Sequence, residues 1–168
     1  DVKKIKTFKI LKGLKFIEYP KLGLIELDKI VEKIKKQNGG ILLIDYGHLN
    51  TLNQDTLQAV MRNKKININS LFNNLGKADI TSLVNFRLLE EYFKKKKLKC
   101  KKIVSQKFFL EKMGIIERAK ILEKNMNFKQ LNYMSLTLKR LLHKNQMGEL
   151  FKVIFAFKSK RSDFLGFE

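Results

Sequence analysis

A chain of 168 residues in which 44% of the side chains are hydrophobic has the size and composition of one packed domain. This composition excludes an intrinsically disordered protein, and no apolar run approaches the roughly 20 residues of a membrane-spanning helix. The formal net charge of +20, from 36 Lys and Arg against 16 Asp and Glu, first suggests a nucleic acid partner.

The source of the positive charge argues against that partner. Only five of the basic residues are arginine, the side chain whose planar fork suits phosphates and base edges. A bias toward Lys, Ile and Asn is also what an AT-rich genome produces, and it raises the charge without selection for a polyanion. We therefore predict no nucleic acid partner.

The sequence contains no pattern for a metal site or a disulfide. Cys100 is the only cysteine, and His48 and His143 lie far apart without Cys or carboxylate companions at ligand spacing. The first ten residues are basic and amphipathic, unlike a signal peptide. We predict a soluble intracellular protein. The first residue, Asp1, is not a methionine, so we expect a fragment or a processed product.

The first clear element is a helix. Between Leu24 and Lys36 the apolar residues recur at intervals of three and four, and Asn38-Gly39-Gly40 is expected to end the helix. The next four residues, Ile41 to Ile44, are an unbroken aliphatic run, which predicts a strand buried on both faces. A helix, a glycine turn and a buried strand in this order indicate an α/β domain with a parallel sheet.

A second helix is predicted to begin near Asp79, where Asp79 or Thr81 would cap the free backbone amides, and to end in the lysine run 94–97. Its buried side would contain Leu83, Phe86, Leu89 and Phe93.

Four further elements complete the predicted chain. Ile103-Val104 is a short strand candidate, and apolar stripes predict helices at about residues 107–124 and 128–143. After Met147-Gly148, residues 151–158 alternate in the manner of a long strand, which we place near the sheet edge. The sequence shows no repeat and no linker, so residues 1–168 are predicted to form a single unit.

The most informative candidate site follows the first predicted strand. Asp45, Tyr46, Gly47 and His48 lie at its carboxyl end, where open α/β sheets bind their ligands. Position alone leaves two interpretations open, because Asp45 could equally cap a loop and Tyr46 could simply pack on the sheet. We expect His48 to form a loop hydrogen bond rather than to bind a metal ion.

Two other polar segments are weaker candidates. Asp55-Thr56-Leu57-Gln58 follows a predicted loop, and Asp79-Ile80-Thr81 follows an Asn-rich stretch. Either segment could be an ordinary helix cap. The chain contains no nucleophile elbow, phosphate-binding glycine loop or metalloprotease helix.

Eight segments, taken in order, resemble the C-terminal half of the MidA family of S-adenosylmethionine-dependent methyltransferases. This family includes a mitochondrial complex I assembly factor that methylates a protein arginine. The segments are Phe16–Pro20, Gly39–His48, Asp55–Val60, Gly76–Thr81, Val84–Phe86, Gln106–Leu110, Gly114–Ala119 and Met147–Lys152.

The resemblance implies an α/β fold of the class I, Rossmann-like methyltransferase type, with a helical insertion before the last strand. The fifth, sixth and seventh strands of its sheet would be Ile41–Ile44, Leu98–Val104 and Leu150–Phe157. The family's glycine-rich first loop, acidic ribose-binding residue and Asn-Glu-Phe-Phe-Asp segment have no counterpart in this sequence. The resemblance therefore implies that the chain is the C-terminal portion of such a domain. It further implies S-adenosylmethionine as the cofactor, which this portion alone should bind poorly.

The resemblance also implies roles for individual residues. Asp45, Tyr46 and Asp79 are the catalytic candidates, since carboxylates suit a guanidinium substrate, and cofactor-binding residues stay unassigned. The substrate pocket would be formed by Gly47, His48, Thr56, Gln58 and Thr81. The family's Val-Asp-Phe is replaced by Val84-Asn85-Phe86, so an amide takes the place of a carboxylate. The implied partner is a protein substrate, such as a subunit of respiratory complex I.

A second class of function stays open, a non-catalytic basic α/β module that binds a protein or RNA. Such a module would expose aromatic side chains among its lysines for stacking. Most aromatic residues of the predicted helices and strands are expected to face the core instead, including Phe86, Phe93, Phe151, Phe155 and Phe157.

Overall fold

The computed structural model describes residues 2–50, 52–62, 64–67, 69, 76–161 and 163–168. Its helices are α1 (Val2–Ile5), α2 (Lys21–Gln37), α3 (Phe86–Lys95), α4 (Gln106–Lys112), α5 (Ile115–Glu123), α6 (Phe128–Leu142) and α7 (Met147–Leu150), with a 3-10 turn at Lys9–Leu11. Its strands are β1 (Gly40–His48), β2 (Gln58–Met61), β3 (Lys64–Ile66), β4 (Asp79–Thr81), β5 (Val84–Asn85), β6 (Lys99–Cys100), β7 (Val104–Ser105) and β8 (Phe151–Phe157).

The described strands form two sheets. In the larger sheet the order is β5-β1-β8-β6, and β7 also pairs with β8. β1 runs antiparallel to β8 from Gly40 to Tyr46 and parallel to β5 at Gly47 and His48. The smaller sheet is antiparallel in the order β3-β2-β4. The prediction of a parallel sheet is therefore wrong for most of these pairs, because the last strand of the chain returns alongside β1 in the opposite direction.

The final strand is central, so its predicted edge position is wrong. β8 lies between β1 on one side and β6 and β7 on the other. Val153 and Ile154, which point to opposite faces, both have 0% exposure. Lys152 and Lys158 lie near the two ends of the strand, and the residues between them are apolar on both faces.

Helix α2 confirms the first predicted helix. Leu24, Val31 and Ile34 are its buried residues. The helix ends where the sequence predicted, because Asn38 adopts a left-handed conformation with φ of 52°. The Gly39 N–H then donates to the Ile34 carbonyl at 3.0 Å, which satisfies a carbonyl of the last turn.

Strand β1 is open on one face, contrary to the predicted burial on both faces. Ile41 and Leu43 pack against the core formed with α2 and α3. On the other face Leu42 and Ile44 remain 43% and 41% exposed. Along the edge of β1 opposite β8, the described strands pair only at Gly47 and His48. The other residues of this strand therefore present an unpaired edge in the part of the chain described.

Helix α3 begins later than predicted. Asp79–Thr81 forms strand β4, and the helix starts at Phe86 with Asn85 as its cap, whose Oδ1 accepts from the Leu88 N–H at 3.0 Å. The amide of Asn85 thus performs the capping that a carboxylate would also perform at this position. The buried side of the helix is confirmed for Phe86, Leu89 and Phe93, while Leu83 precedes the helix.

The segment before the last strand is helical, as the resemblance implied. The single helix predicted at 107–124 is instead divided into α4 and α5, because Gly114 takes a left-handed conformation with φ of 80°. The helix predicted at 128–143 is confirmed by α6. The predicted sixth strand is two short pieces, β6 and β7. The buried Gln106 joins α4 to α6, since its Nε2 donates to the Leu141 carbonyl at 3.0 Å.

Replacing Glu91 with Gln is expected to flatten the loss of stability in acid. Burial alone would raise the pKa of Glu91, but hydrogen bonds from the Ile10 and Lys9 N–H groups and the charge of Lys95 outweigh it, so the pKa lies below its ordinary value of 4.5. A lowered folded-state pKa contributes stability above the unfolded-state value, and this contribution is lost as the pH falls through the folded-state value.

Urea unfolding at a series of pH values between about 6 and 3 measures this effect. The wild-type chain should lose stability more steeply than Glu91→Gln below about pH 4.5. Glu32→Gln is the control, because Glu32 is mostly exposed and its ion-pair partner among the described residues is its helix neighbour Lys35. Parallel stability curves for the wild type and Glu91→Gln would contradict the prediction.

Candidate functional site

The small sheet places four residues on one face. Three of them, Gln58, Asp79 and Thr81, are predicted site residues, and the fourth is Val60. β2 and β4 pair with Gln58 opposite Thr81 and Val60 opposite Asp79. Because side chains alternate along a strand, these residues project to the same side. Ala59 projects to the other side, where it is 1% exposed. The antiparallel register therefore places the Asp79 carboxyl and the Gln58 amide on a common surface.

This surface lines a cavity of about 610 Å³, which we call the β2–β4 cavity. Five of the eight predicted site residues line it: Tyr46, Thr56, Gln58, Asp79 and Thr81. Asp55 and Lys65 add a second carboxylate and an ammonium group, and the remaining lining residues are apolar or amide side chains. The cavity thus combines hydrogen-bonding groups with one excess negative charge from two carboxylates and one lysine.

Asp45 does not line the β2–β4 cavity. It is the neighbour of Tyr46 in β1, so the two side chains point to opposite faces. The Asp45 side chain is exposed, and its Oδ1 accepts from the Tyr46 N–H at 2.8 Å. The Tyr46 ring packs edge-on against Phe151 with the ring centroids 5.5 Å apart. The structure therefore brings Tyr46, but not Asp45, together with Asp79.

Gly47 is buried at a close approach between chain segments and does not line the β2–β4 cavity. A Cβ atom at this position would lie 2.2 Å from the Val84 carbonyl oxygen and 2.8 Å from the Phe86 ring. The glycine allows β5 and the start of α3 to lie directly against β1. Its conspicuous place in the motif has a packing explanation.

His48 lines a second cavity of about 330 Å³, together with Glu18 and Asn85. Its Nδ1 lies 2.5 Å from the Asn50 carbonyl oxygen, and because a carbonyl can only accept, Nδ1 carries the proton in this contact. This is the loop hydrogen bond expected from the sequence. Within the described residues, no cluster of three or more His, Cys, Asp or Glu side chains is placed to hold a metal ion.

Glu18, a carboxylate that was not predicted as a site residue, connects the linings of the two cavities. Glu18 accepts from the Thr56 N–H at 3.1 Å and from the Thr56 hydroxyl at 2.7 Å. The same hydroxyl oxygen accepts from the Leu83 N–H at 2.9 Å. Glu18 and Thr56 thus join the loop before α2 to the segments that precede β2 and follow β4. The available signal was a carboxylate between Ile17 and Tyr19 in one of the family-like segments.

The helix-cap interpretation of the two weaker segments is wrong. Asp55 Oδ1 accepts from the Leu57 N–H at 2.8 Å and forms a turn that leads into β2, not into a helix. Asp79 begins strand β4. Both carboxyls instead line the β2–β4 cavity with Thr56. Lys65 was also missed, because its place in the cavity depends on the pairing of β3 with β2.

Comparison with known proteins places the chain among methyltransferases. A family described as "Putative S-adenosyl-L-methionine-dependent methyltransferase" matches residues 10–104, which contain both cavities' motif residues from Phe16 to Asn85. The match ends before α4, so the helices that precede β8 lie outside it.

Two crystal structures from Burkholderia thailandensis share the fold. One is of an uncharacterized protein and matches with a TM-score of 0.68 and 22% identity over 83% of this chain and 40% of that one. The other, of a "likely methyl transferase" bound to S-adenosyl-homocysteine, matches with a TM-score of 0.63 and 23% identity over 83% of this chain and 38% of that one. The chain therefore spans about two fifths of the length of each. The likeness confirms the predicted Rossmann-like α/β fold.

Proposed function

The chain belongs to the S-adenosyl-L-methionine-dependent methyltransferase family matched over residues 10–104, and from this premise we propose that it forms the acceptor-binding part of a methyltransferase of the MidA type. The acceptor is an arginine side chain of a protein, for which a respiratory complex I subunit is the candidate suggested by the resemblance. The enzyme would act in the bacterial cytoplasm or the mitochondrial matrix. No helix among the described residues has the length and apolar character to cross a membrane.

The observation that supports this acceptor is the acidic lining of the β2–β4 cavity. In a chain with a net charge of +20, two carboxylates, Asp55 and Asp79, line this one cavity. A guanidinium presents five N–H donors in a plane and is cationic at any physiological pH. Asp79, Gln58 and Thr81 present hydrogen-bond acceptor atoms on one surface. These atoms suit a guanidinium group better than they would suit an anionic substrate.

In this proposal the protein's contribution to the reaction is positioning. Asp79 holds the guanidinium by charge-assisted hydrogen bonds, which are the stronger class of hydrogen bond. Tyr46 closes one side of the cavity, and Glu18 fixes Thr56 at another side. When the substrate is held in one orientation, its entropy is lost on binding and not in the chemical step. Positioning by the protein therefore raises the reaction rate.

The two glycines of strand β1, Gly40 and Gly47, do not offer a cradle for the cofactor of this family. A cradle needs glycines at which a ligand can approach the backbone closely. At Gly47 that space is filled by Val84 and Phe86, and at Gly40 it is filled by Phe155. No buried polar side-chain atom among the described residues is left without a partner. We therefore expect this chain alone to bind S-adenosylmethionine weakly.

Calorimetric titration of S-adenosylmethionine tests the proposal. The ligand is added first to the chain alone and then to the chain mixed with a separately expressed N-terminal half of a close relative. Binding only in the mixture is the expected result. Tight binding to the chain alone would mean that the cofactor site lies within these residues, and no binding in either case would favour the alternative of a non-catalytic binding module.

A further inference from the structure

Helix α6 presents large apolar side chains to solvent. None of its residues is buried, although the helix has fifteen residues. Phe128 is 86% exposed, Tyr133 is 73% exposed and Leu136 is 59% exposed. The opposite side of the helix is half-buried and carries its own apolar stripe, which includes Leu131, Met134 and Leu138. The exposed apolar residues are therefore additional to those that attach the helix to the domain.

Four exposed residues of α6 form one continuous stripe. Lys129, Tyr133, Leu136 and Arg140 follow one another at intervals of four, three and four, which places them on one face of the helix. We call this set the outer stripe. It has an aromatic and an aliphatic side chain at its centre and a cation at each end.

A groove runs beside the outer stripe. It has a volume of about 470 Å³ and lies between the end of α5 and one side of α6. Its lining includes Leu122, Met126 and Met134, with Tyr133 shared between the groove and the stripe. Methionine side chains adapt their shape to an inserted group, and they are frequent at surfaces that bind helices. The concave shape suits the side chains of another helix.

The charge on α6 is uncompensated, unlike that on the other long helices. In α2 and α3, lysines pair with glutamates one turn away, at 2.8 Å for Lys29 and Glu26 and at 2.6 Å for Lys94 and Glu90. The sequence of α6 contains no Asp or Glu. Neither Lys129 nor Arg140 has an ion-pair partner in the part of the chain that the structure describes. A general lysine bias explains the cations, but not the absence of acidic neighbours on a helix of fifteen residues.

We propose that the outer stripe and the adjacent groove dock an acidic amphipathic helix of a partner protein. The partner's apolar side chains would enter the groove beside Tyr133 and Leu136, and its carboxylates would pair with Lys129 and Arg140. A second copy of the chain is disfavoured, because each copy carries a net charge of +20. The surface lies outside the family match at residues 10–104, so it goes beyond the proposed methyl transfer.

Fluorescence anisotropy with designed peptides tests this surface on the full chain. The probe is a labelled helical peptide with leucines on one stripe and glutamates beside them, and the matched peptide has lysine in place of each glutamate. The chain should bind the glutamate peptide and not the lysine peptide. The double variant Lys129→Glu/Arg140→Glu should bind the glutamate peptide at least about tenfold more weakly, and Tyr133→Ser should also weaken it.

The control is Lys33→Glu/Lys36→Glu, which makes the same charge change at exposed positions of α2. Circular dichroism confirms that each variant is folded. Equal binding of the two peptides, or an equal loss in the control, would overturn the proposal. The proposal would also be overturned if the double variant kept its binding to the glutamate peptide but lost binding to phosphatidylglycerol vesicles or polyuridylate, or lost self-association in sedimentation. If the double variant no longer assembled with the relative's N-terminal half, the surface would be an interface between the two halves of one protein. This result would also overturn the proposal.

Discussion

Gly47→Ala is expected to destabilise the chain by about 3 kcal/mol or more, or to prevent its folding. The added methyl group would lie 2.2 Å from the Val84 carbonyl oxygen, which is backbone and cannot move aside as a side chain can. It would also lie 2.8 Å from the Phe86 ring, which has 0% exposure. Relief of this overlap would require β5 to separate from β1 and would displace the start of α3.

Chemical denaturation monitored by circular dichroism measures the loss. Gly39→Ala is the matched control, because it adds the same methyl group to the turn before the same strand, with no other atom within 4 Å. This variant should stay within about 1 kcal/mol of the wild type. If Gly47→Ala were equally stable, β1 and β5 could not pack as described, and a role for Gly47 in the substrate pocket would regain support.

Asp79→Asn is expected to lower turnover of the intact protein by about 100-fold while leaving stability nearly unchanged. Asp79 is exposed and forms the rim of the β2–β4 cavity, so its charge is available to a cationic acceptor rather than committed to the fold. The substitution keeps the size of the side chain and removes the charge. Methyl incorporation from radiolabelled S-adenosylmethionine into an arginine-containing protein substrate measures the effect, and thermal unfolding measures the stability.

Asp45→Asn belongs in the same assay, since both carboxylates are predicted to hold the substrate. A large loss in both variants would support a joint role, and a loss in Asp79→Asn alone would restrict the role to the cavity side of β1. Asp163→Asn is the charge control, because this exposed residue lies near the end of the chain and lines neither cavity. Normal turnover in Asp79→Asn would remove the proposed contact with the acceptor.

Long helices with regular periodicity could be predicted from the sequence with nearly correct ends. α2 and α6 are such cases, because their apolar spacing extends over several turns and their ends carry local signals, such as the left-handed Asn38. The position of β8 could not be predicted in the same way. Its central place depends on pairing with β1, more than a hundred residues earlier, and no local pattern records that partner.

Residues of the candidate site could be predicted from the sequence, but their spatial arrangement could not. Tyr46 and Asp79 were both identified, but only the small sheet brings them to one cavity, through the register of β2 and β4. The separation of Asp45 from Tyr46 follows from strand alternation and could have been predicted. Glu18 acts through Thr56, which is 38 residues away in the sequence, so its role needed the tertiary structure.

The edge of β1 that is left unpaired among the described residues bears on how this chain alone behaves in concentrated solution. Strand edges in natural proteins are commonly protected by lysine, proline or a bulge, and the segment from Gly40 to Tyr46 contains neither lysine nor proline. The long-range repulsion between molecules that each carry +20 then becomes the main barrier to edge-to-edge pairing. That repulsion extends only about 10 Å at 0.1 M salt. The protection that the lysine-rich surface gives against association of the molecules therefore weakens as the ionic strength rises.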